Sequence, residues 1–332
     1  MDNLEKKTRN TERWLTYTYY ISPKTPSTER KPALLLVHGF PDSAHLWQDI
    51  IPHLAPLGNR IIALDLLGYA GSSKPADIHQ YDLAKVQQDI VEILTHEGIT
   101  KIIAIGHDWG SLAVQRLYFY NPELVVGLSL IAVGLMPPSP DKFDLKAINE
   151  MTETYYGFPK YAYIEFLSSE EAPGLISANI EKFWEIMHGS PKDWLKTQFC
   201  TRGAMKNYLE GNDRIPLKPY AQLPKWKDEY LERYSAERFE APCLYYRSLV
   251  QSIQWESDQS IPLERRRVEV PVCYIGSSED IINPPEQMEQ AMEHGMLTHL
   301  EAITLETGHW SVMECPDKVS KLLIDFISQN WA

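Results

Sequence analysis

Four short apolar runs, residues 33–38 (ALLLVH), 60–65 (RIIALD), 101–106 (KIIAIG) and 125–133, carry no alternating polar positions. A strand that is apolar on both sides needs cover on both faces. That predicts a mostly parallel sheet whose strands are joined by helical crossovers. Between the second and third runs, Leu83, Val86, Ile90, Ile93 and Leu94 recur at helical spacing, with Asp82 placed as an N-cap. Further strands are predicted at 270–275 and 298–305, flanking a helical 286–293. Val319, Leu322, Leu323, Phe326 and Ile327 form one apolar stripe in the last segment, as on a helix packed against a sheet. Residues 14–21 are predicted as an antiparallel strand or hairpin arm at the sheet edge.

The pattern changes between Met136 and Pro262. Strand-like runs stop, helical spacings take over, and ten of the eighteen tyrosines fall here. Prolines 137, 138 and 140 mark one junction and Pro262 the other, as where a chain leaves one unit and returns to it. We expect an α/β core formed by residues 1–135 and 264–332, interrupted by an α-helical cap, or lid, at 136–263. Most of the cap tyrosines are expected to serve packing. No internal repeat and no low-complexity tract is present.

Composition narrows the function classes. The 332 residues include 45 acidic and 32 basic side chains, a net charge of −13. This argues against sequence-independent binding to nucleic acid or anionic lipid, which needs clustered Lys and Arg. Apolar residues at 44% and charged residues at 23% are ordinary for a folded chain. The longest nearly apolar stretch, 125–136, is too short to span a bilayer. Residues 1–10 are polar, with no h-region, so no secretory signal is expected. Cysteines 200, 243, 273 and 315 have neither metal-site nor disulfide-scaffold spacing, and a reduced, cytoplasmic setting is expected.

The chemistry concentrates at Gly106-His107-Asp108-Trp109-Gly110, which follows a predicted strand and opens the helix-like 111–120. This is the spacing of the G-x-S-x-G elbow, where a strand–turn–helix lifts the central side chain above the carboxyl edge of a sheet. Small flanking residues permit so tight a turn. Here the central residue is Asp. A serine ether formed at a saturated carbon would offer water no carbonyl to attack. A carboxylate forms an alkyl ester there, which water cleaves at the enzyme's own carbonyl. Asp108 therefore points to two-step covalent substitution at saturated carbon rather than to ester hydrolysis. The bland alternative is that Asp108 only caps its helix.

The second step needs a base, an orienting acid and an oxyanion site. His309, in Gly308-His309-Trp310 after the last predicted strand, stands where an α/β-hydrolase sheet carries its histidine. Its partner is expected on the loop after 270–275, which reads Gly276-Ser277-Ser278-Glu279-Asp280. Asp280 is assigned, with Glu279 as the alternative. The order Asp108, Asp280, His309 is that of nucleophile, acid and base. His38-Gly39-Phe40-Pro41 closes the first strand, and in this fold the backbone N–H groups of Phe40 and Trp109 would receive oxyanion charge. Pro41 also suits a cis-peptide turn.

HGFPDS from His38, DLLGYAGSSKP from Asp65, GHDWGS from Gly106, SSED ending at Asp280 and GHW from Gly308 together resemble the epoxide hydrolases of the α/β-hydrolase fold. The likeness is to their soluble, Asp-nucleophile branch. It covers the core from about Lys31 to Gly134 and from Val270 onward. It implies two cap tyrosines whose hydroxyls hold the epoxide oxygen. Tyr163, in YIEFL, matches the first, with Tyr161 as a rival. Tyr246, in LYYRS, matches the second through the Tyr-Arg pair of the family's W-Y-R-N pattern. Leu244, Tyr245 and Ser248 depart from that pattern, so Tyr245 stays open. Phenols remain protonated near neutrality and can donate to an oxyanion. The implied reaction turns an epoxide and water into a vicinal diol, with neither metal nor organic cofactor. The aromatic surplus of the cap implies an apolar, aryl or lipid-like small-molecule substrate. A homo-oligomer is compatible with the sequence but not specified by it. The alternatives are a haloalkane or haloacid dehalogenase, in which Trp109 would suit a halide contact, and a non-catalytic ligand-binding protein. Phe40 stands where dehalogenases typically carry Asn, and a binder has no use for water activation.

Overall fold

A computed structural model describes residues 1, 3–26, 28–236 and 238–331. In chain order its strands are β1 (Glu5–Asn10), β2 (Thr16–Ile21), β3 (Ala33–Val37), β4 (Ile61–Leu64), β5 (Ile102–His107), β6 (Val125–Ile131), β7 (Val272–Ser277) and β8 (Leu300–Leu305). Among the described residues these form one eight-stranded sheet in the order β1-β2-β4-β3-β5-β6-β7-β8. The pairs from β4 through β3 to β8 are parallel, while β1–β2 and β2–β4 are antiparallel. Every residue of β3, β4 and β5 is buried, which is why these segments show no polar alternation.

One edge differs from expectation. Residues 14–21 do form a hairpin arm, as β2, but they are not the outermost strand. β1, whose sequence is EKKTRN, pairs outside it from Glu5 opposite Ile21 to Asn10 opposite Thr16. It has no apolar residue and is almost wholly exposed, so hydrophobic pattern alone could not reveal it. Its charged side chains suit an edge, where they discourage pairing with another chain. The hairpin turns at Trp14, which has φ 60° and is 93% exposed.

The helices follow the spacing of their apolar residues. Leu83–His96 buries Leu83, Val86, Ile90, Ile93 and Leu94, and the Asp82 carboxylate caps it by accepting from the Ala84 N–H at 3.0 Å. Full burial of each such aliphatic side chain contributes about 1.5–3 kcal/mol. Trp109–Tyr120 packs against β3, β5 and β6. The last helix, Pro316–Trp331, buries Val319, Leu323, Phe326 and Ile327 and lies against β7. Chain order makes β3 and β5 the topological switch point, since the connection from β3 runs one way to β4 and the next returns past β3 to β5. Ligand crevices in open α/β sheets form outside the carboxyl ends of strands at such a point.

The chain divides into two compact units, one of residues 1–74, 82–140 and 256–332, the other of residues 75–81 and 141–255. The first holds the sheet. In the second, helices including Leu145–Tyr156, Ala162–Leu167, Ile180–His188, Pro224–Ala236 and Glu240–Val250 surround an aromatic core. There Phe183 meets Phe239 at 5.2 Å, Tyr234 stacks on Phe239 at 4.1 Å, and Trp184 lies 4.7 Å from Tyr230. Within the first unit, buried Arg116 ties the outgoing and returning segments together, donating to the Met136 carbonyl at 2.7 Å and pairing with Asp258 at 2.9 Å. Among the described residues no helix is long and apolar enough to cross a membrane.

Candidate active site

β5 ends at His107, and the chain turns at Asp108 into helix Trp109–Tyr120. Asp108 itself takes the left-handed backbone, φ 54° and ψ −122°, a conformation that costs a non-glycine residue about 1–3 kcal/mol. The glycines around it serve close approach. A Cβ on Gly110 would collide with the carbonyl oxygens of Val37 and His38, and one on Gly39 with the Asp108 carboxylate. β3, β5 and the helix are thereby drawn together at the switch point.

The Asp108 side chain makes no capping bond to its own helix. Its Oδ1 accepts the Phe40 N–H at 2.8 Å, and its Oδ2 lies 3.5 Å from His309 Nε2. On the other side of the imidazole, His309 Nδ1 is 2.6 Å from Asp280 Oδ2. Asp280 is 2% exposed. Its Oδ1 accepts the N–H groups of Ile282 and Asn283 at 3.0 and 3.1 Å, and the Asn283 amide reaches Oδ2 at 3.4 Å. Neighbouring Glu279 is exposed instead. The Phe40–Pro41 peptide is cis. Trp109 begins the helix and is buried.

Electrostatics couple the three groups. Burial alone would depress His309, but the Asp280 charge and hydrogen bonds to both carboxylates outweigh it and raise its pKa to about 10. Burial would likewise push Asp108 and Asp280 up. The imidazolium between them holds both below the ordinary carboxylate value, through a hydrogen bond and charge at Asp108 and charge first at Asp280. The resting arrangement is an imidazolium between two carboxylates.

Several supporting residues lie within the sequence motifs, but the motifs do not reveal their roles. Fully buried His107 places Nε2 3.0 Å from the His309 carbonyl oxygen, its ring 5.0 Å from the His309 ring. Burial and the adjoining His309 charge lower its pKa to about 4, so it is neutral and Nε2–H donates. The Trp310 indole N–H donates to buried Asp42 at 3.0 Å, joining the His309 loop to the turn after β3. A histidine closing an otherwise apolar strand was the available signal for His107. Asn283 carried none.

The tyrosines lie in the second unit. Tyr163, on helix Ala162–Leu167, and Tyr246, on helix Glu240–Val250, meet edge to face with ring centroids 5.9 Å apart. Tyr163 also contacts Phe199 at 5.2 Å. Tyr245 is fully buried against Tyr81 at 5.2 Å. Tyr161 stands at the N-cap position of the Tyr163 helix without a side-chain capping bond, and its N–H donates to Asn149 Oδ1 at 2.9 Å.

A parallel sheet with an acidic residue at a strand–helix elbow, a histidine after the last strand and a carboxylate after the strand before it defines a hydrolase architecture. A family model described as alpha/beta hydrolase fold matches residues 32–316, and the chain belongs to that family. Its relatives include bifunctional epoxide hydrolase 2 of Rattus norvegicus, 28% identical over 301 residues that cover 89% of this chain and 51% of that protein. The chain thus spans about half the length of that relative. Epoxide hydrolase A of Mycobacterium tuberculosis is 25% identical over 313 residues, covering 90% of each chain. The crystal structure of epoxide hydrolase A from Mycobacterium thermoresistibile superposes with a TM-score of 0.79 at 22% identity, covering 99% of both chains.

Proposed function

We propose that the protein hydrolyses an epoxide to a vicinal diol through a covalent ester on Asp108. The observation that carries this reading is the two-sided setting of that carboxylate, Oδ1 on the Phe40 amide and Oδ2 facing a histidine that Asp280 holds from behind. The names of its relatives supply the substrate class.

In the first half-reaction an Asp108 oxygen attacks one oxirane carbon and the C–O bond opens. Tyr163 and Tyr246 donate to the leaving oxygen. The ester neutralises one of the two anions that hold the His309 proton, so the imidazole's affinity for that proton falls. The opened oxygen gains a proton, His309 ends neutral, and charge balances. In the second half-reaction neutral His309 takes a proton from water. The hydroxide attacks the ester carbonyl, and the Phe40 and Trp109 amides receive the oxyanion. Breakdown releases the diol and restores the carboxylate beside an imidazolium. Asp280 orients the ring and stabilises its charge throughout. A neutral ester intermediate thus turns a resting acid into a base.

The aromatic residues of the helical unit support an apolar or aryl epoxide as substrate. Four scattered cysteines without disulfide-scaffold spacing support a reducing, cytoplasmic setting. Repeated turnover of an aryl epoxide in heavy-oxygen water, followed by mass analysis of the Asp108 peptide, tests the route. Heavy oxygen is expected in the carboxylate, since the ester is cleaved at the Asp108 carbonyl. Label confined to the diol, with an unlabelled peptide after many cycles, would overturn it.

A further inference from the structure

Two phenols that donate to one oxygen must themselves be closely spaced. With bonds near 2.7 Å at a tetrahedral angle, their oxygens stand about 4.4 Å apart. Productive geometry of this kind has to be held to within about 0.5 Å. Neither tyrosine's own helix secures that spacing. Tyr163 rides on Ala162–Leu167, a six-residue helix, too short to be stable by its own hydrogen bonds. Tyr246 lies on a different helix, 83 residues on.

The link between the two is Arg247, the residue after Tyr246. Its Nε–H donates to the Ser168 carbonyl at 3.1 Å, and its Nη2–H to the Ser169 carbonyl at 2.6 Å. Ser168 is the C-cap of the Tyr163 helix. Carbonyls at that end lack intrahelical partners, and the end carries the negative pole of the helix dipole, so a cation there is favoured twice over. The planar guanidinium engages two acceptors at once and so fixes direction as well as distance, which a lysine ammonium cannot do. One residue therefore joins the backbone that bears Tyr246 to the end of the helix that bears Tyr163. Ring contacts add to this link, since Tyr163 packs on both Tyr246 and Phe199.

We propose that Arg247 is a positioning residue for ring opening, holding the Tyr163 helix in register with Tyr246 so that both phenols reach one oxygen. It rests on the reaction set out above but assigns Arg247 to only one of its half-reactions. Ester breakdown depends on His309, Asp280 and the Phe40 and Trp109 amides, all in the other unit. Loss of the fork should therefore slow ester formation selectively.

The test is rapid-quench measurement of ester formation and ester breakdown in wild type, Arg247→Met and Arg247→Lys, with thermal midpoints for each. Arg247→Met is expected to slow formation by about 10–100-fold, the effect of misplacing a reacting group by an ångström, while breakdown stays at the wild-type rate. Arg247→Lys, which keeps the charge but not the fork, should fall between the two. Unchanged formation in folded Arg247→Met overturns the proposal. So does an equal fall of both half-reactions in step with the thermal midpoint, the mark of a purely structural role. Should Arg247→Met fail to fold, Arg247→Lys decides, since slower formation with unchanged breakdown supports the assignment and wild-type rates refute it. Failure to trap ester in both wild type and His309→Gln overturns the reaction itself, a result distinguishable from a trapped ester that ignores Arg247.

Discussion

The two units hold their candidate catalytic groups by different means. Asp108, Asp280 and His309 hang from turns that follow β5, β7 and β8, and a main-chain group takes part in holding each: the Phe40 N–H donates to Asp108, the Ile282 and Asn283 N–H groups donate to Asp280, and the His309 carbonyl accepts from the His107 side chain. Tyr163 and Tyr246 are held by ring contacts and by one arginine side chain reaching two carbonyls. A buried parallel sheet offers many hydrogen-bonded neighbours within a few ångströms, so its strand ends are rigid supports for charge. Short helices offer mainly side-chain packing, which tolerates substitution more readily. In the proposed reaction the first arrangement carries proton transfer, where tenths of an ångström matter, and the second receives charge on a substrate oxygen.

The largest expected effect separates the two regions by half-reaction. His309→Gln should slow ester breakdown by about 10²–10⁴-fold, the usual contribution of a general base, while ester still forms, more slowly without the imidazolium proton, and accumulates because breakdown is slowed more. Denaturing mass spectrometry should find the Asp108 adduct at near-stoichiometric yield, and an unmodified protein would count against the assignment. Tyr163→Phe and Tyr246→Phe should each do the reverse. Loss of one oxyanion donor costs about 10²–10³-fold, here in ester formation, with breakdown untouched. If either substitution slowed only breakdown, the division of labour would be wrong.

Smaller effects should appear with pH. The folded-state pKa of His309 is raised from 6.5 to about 10. The stability it contributes is therefore fully present below pH 6.5 and is lost as pH rises through about 10. The difference in thermal midpoint between wild type and His309→Gln should shrink steadily over that interval. Ester formation, which uses the Asp108 carboxylate beside an imidazolium, should hold its rate to about pH 10 and then fall. Ester breakdown should instead rise with pH at a lower midpoint, because the ester has removed one of the charges that held the proton. Coincident profiles for the two half-reactions would contradict the proton balance. The mildest prediction concerns Trp310→Phe, which removes one buried donor from Asp42. It should lower unfolding stability by about 1–2 kcal/mol in chemical denaturation and change ester breakdown more than ester formation.

Most of the first unit was legible in the sequence because its signals are local. A strand buried on both faces must be apolar throughout, so β3 to β6 could be read almost residue by residue. An elbow must pack glycines where backbones touch, so Gly106 and Gly110 marked Asp108 from both sides. β1 escaped because an exposed edge needs no apolar residue. The supporting roles of His107, Asp42, Trp310 and Asn283 escaped because each acts on a partner distant in the chain or on a loop whose path was unknown. In the second unit the tyrosines were legible only through resemblance. Ten tyrosines in a helical segment look alike until their rings have neighbours.

By itself the sequence determined the sheet, the elbow, and the chemistry that a carboxylate rather than a hydroxyl makes available there, since covalent preference and hydrophobic periodicity are properties of residue type and spacing. Tertiary structure alone decided that Oδ1 of Asp108 meets an amide while Oδ2 faces an imidazole, that Tyr246 packs on Tyr163, and that Tyr245 packs on Tyr81. It also decided that Arg247 reaches the carbonyls beyond Leu167. Such pairings join positions tens to hundreds of residues apart, and only the packing of whole elements brings them within hydrogen-bond range.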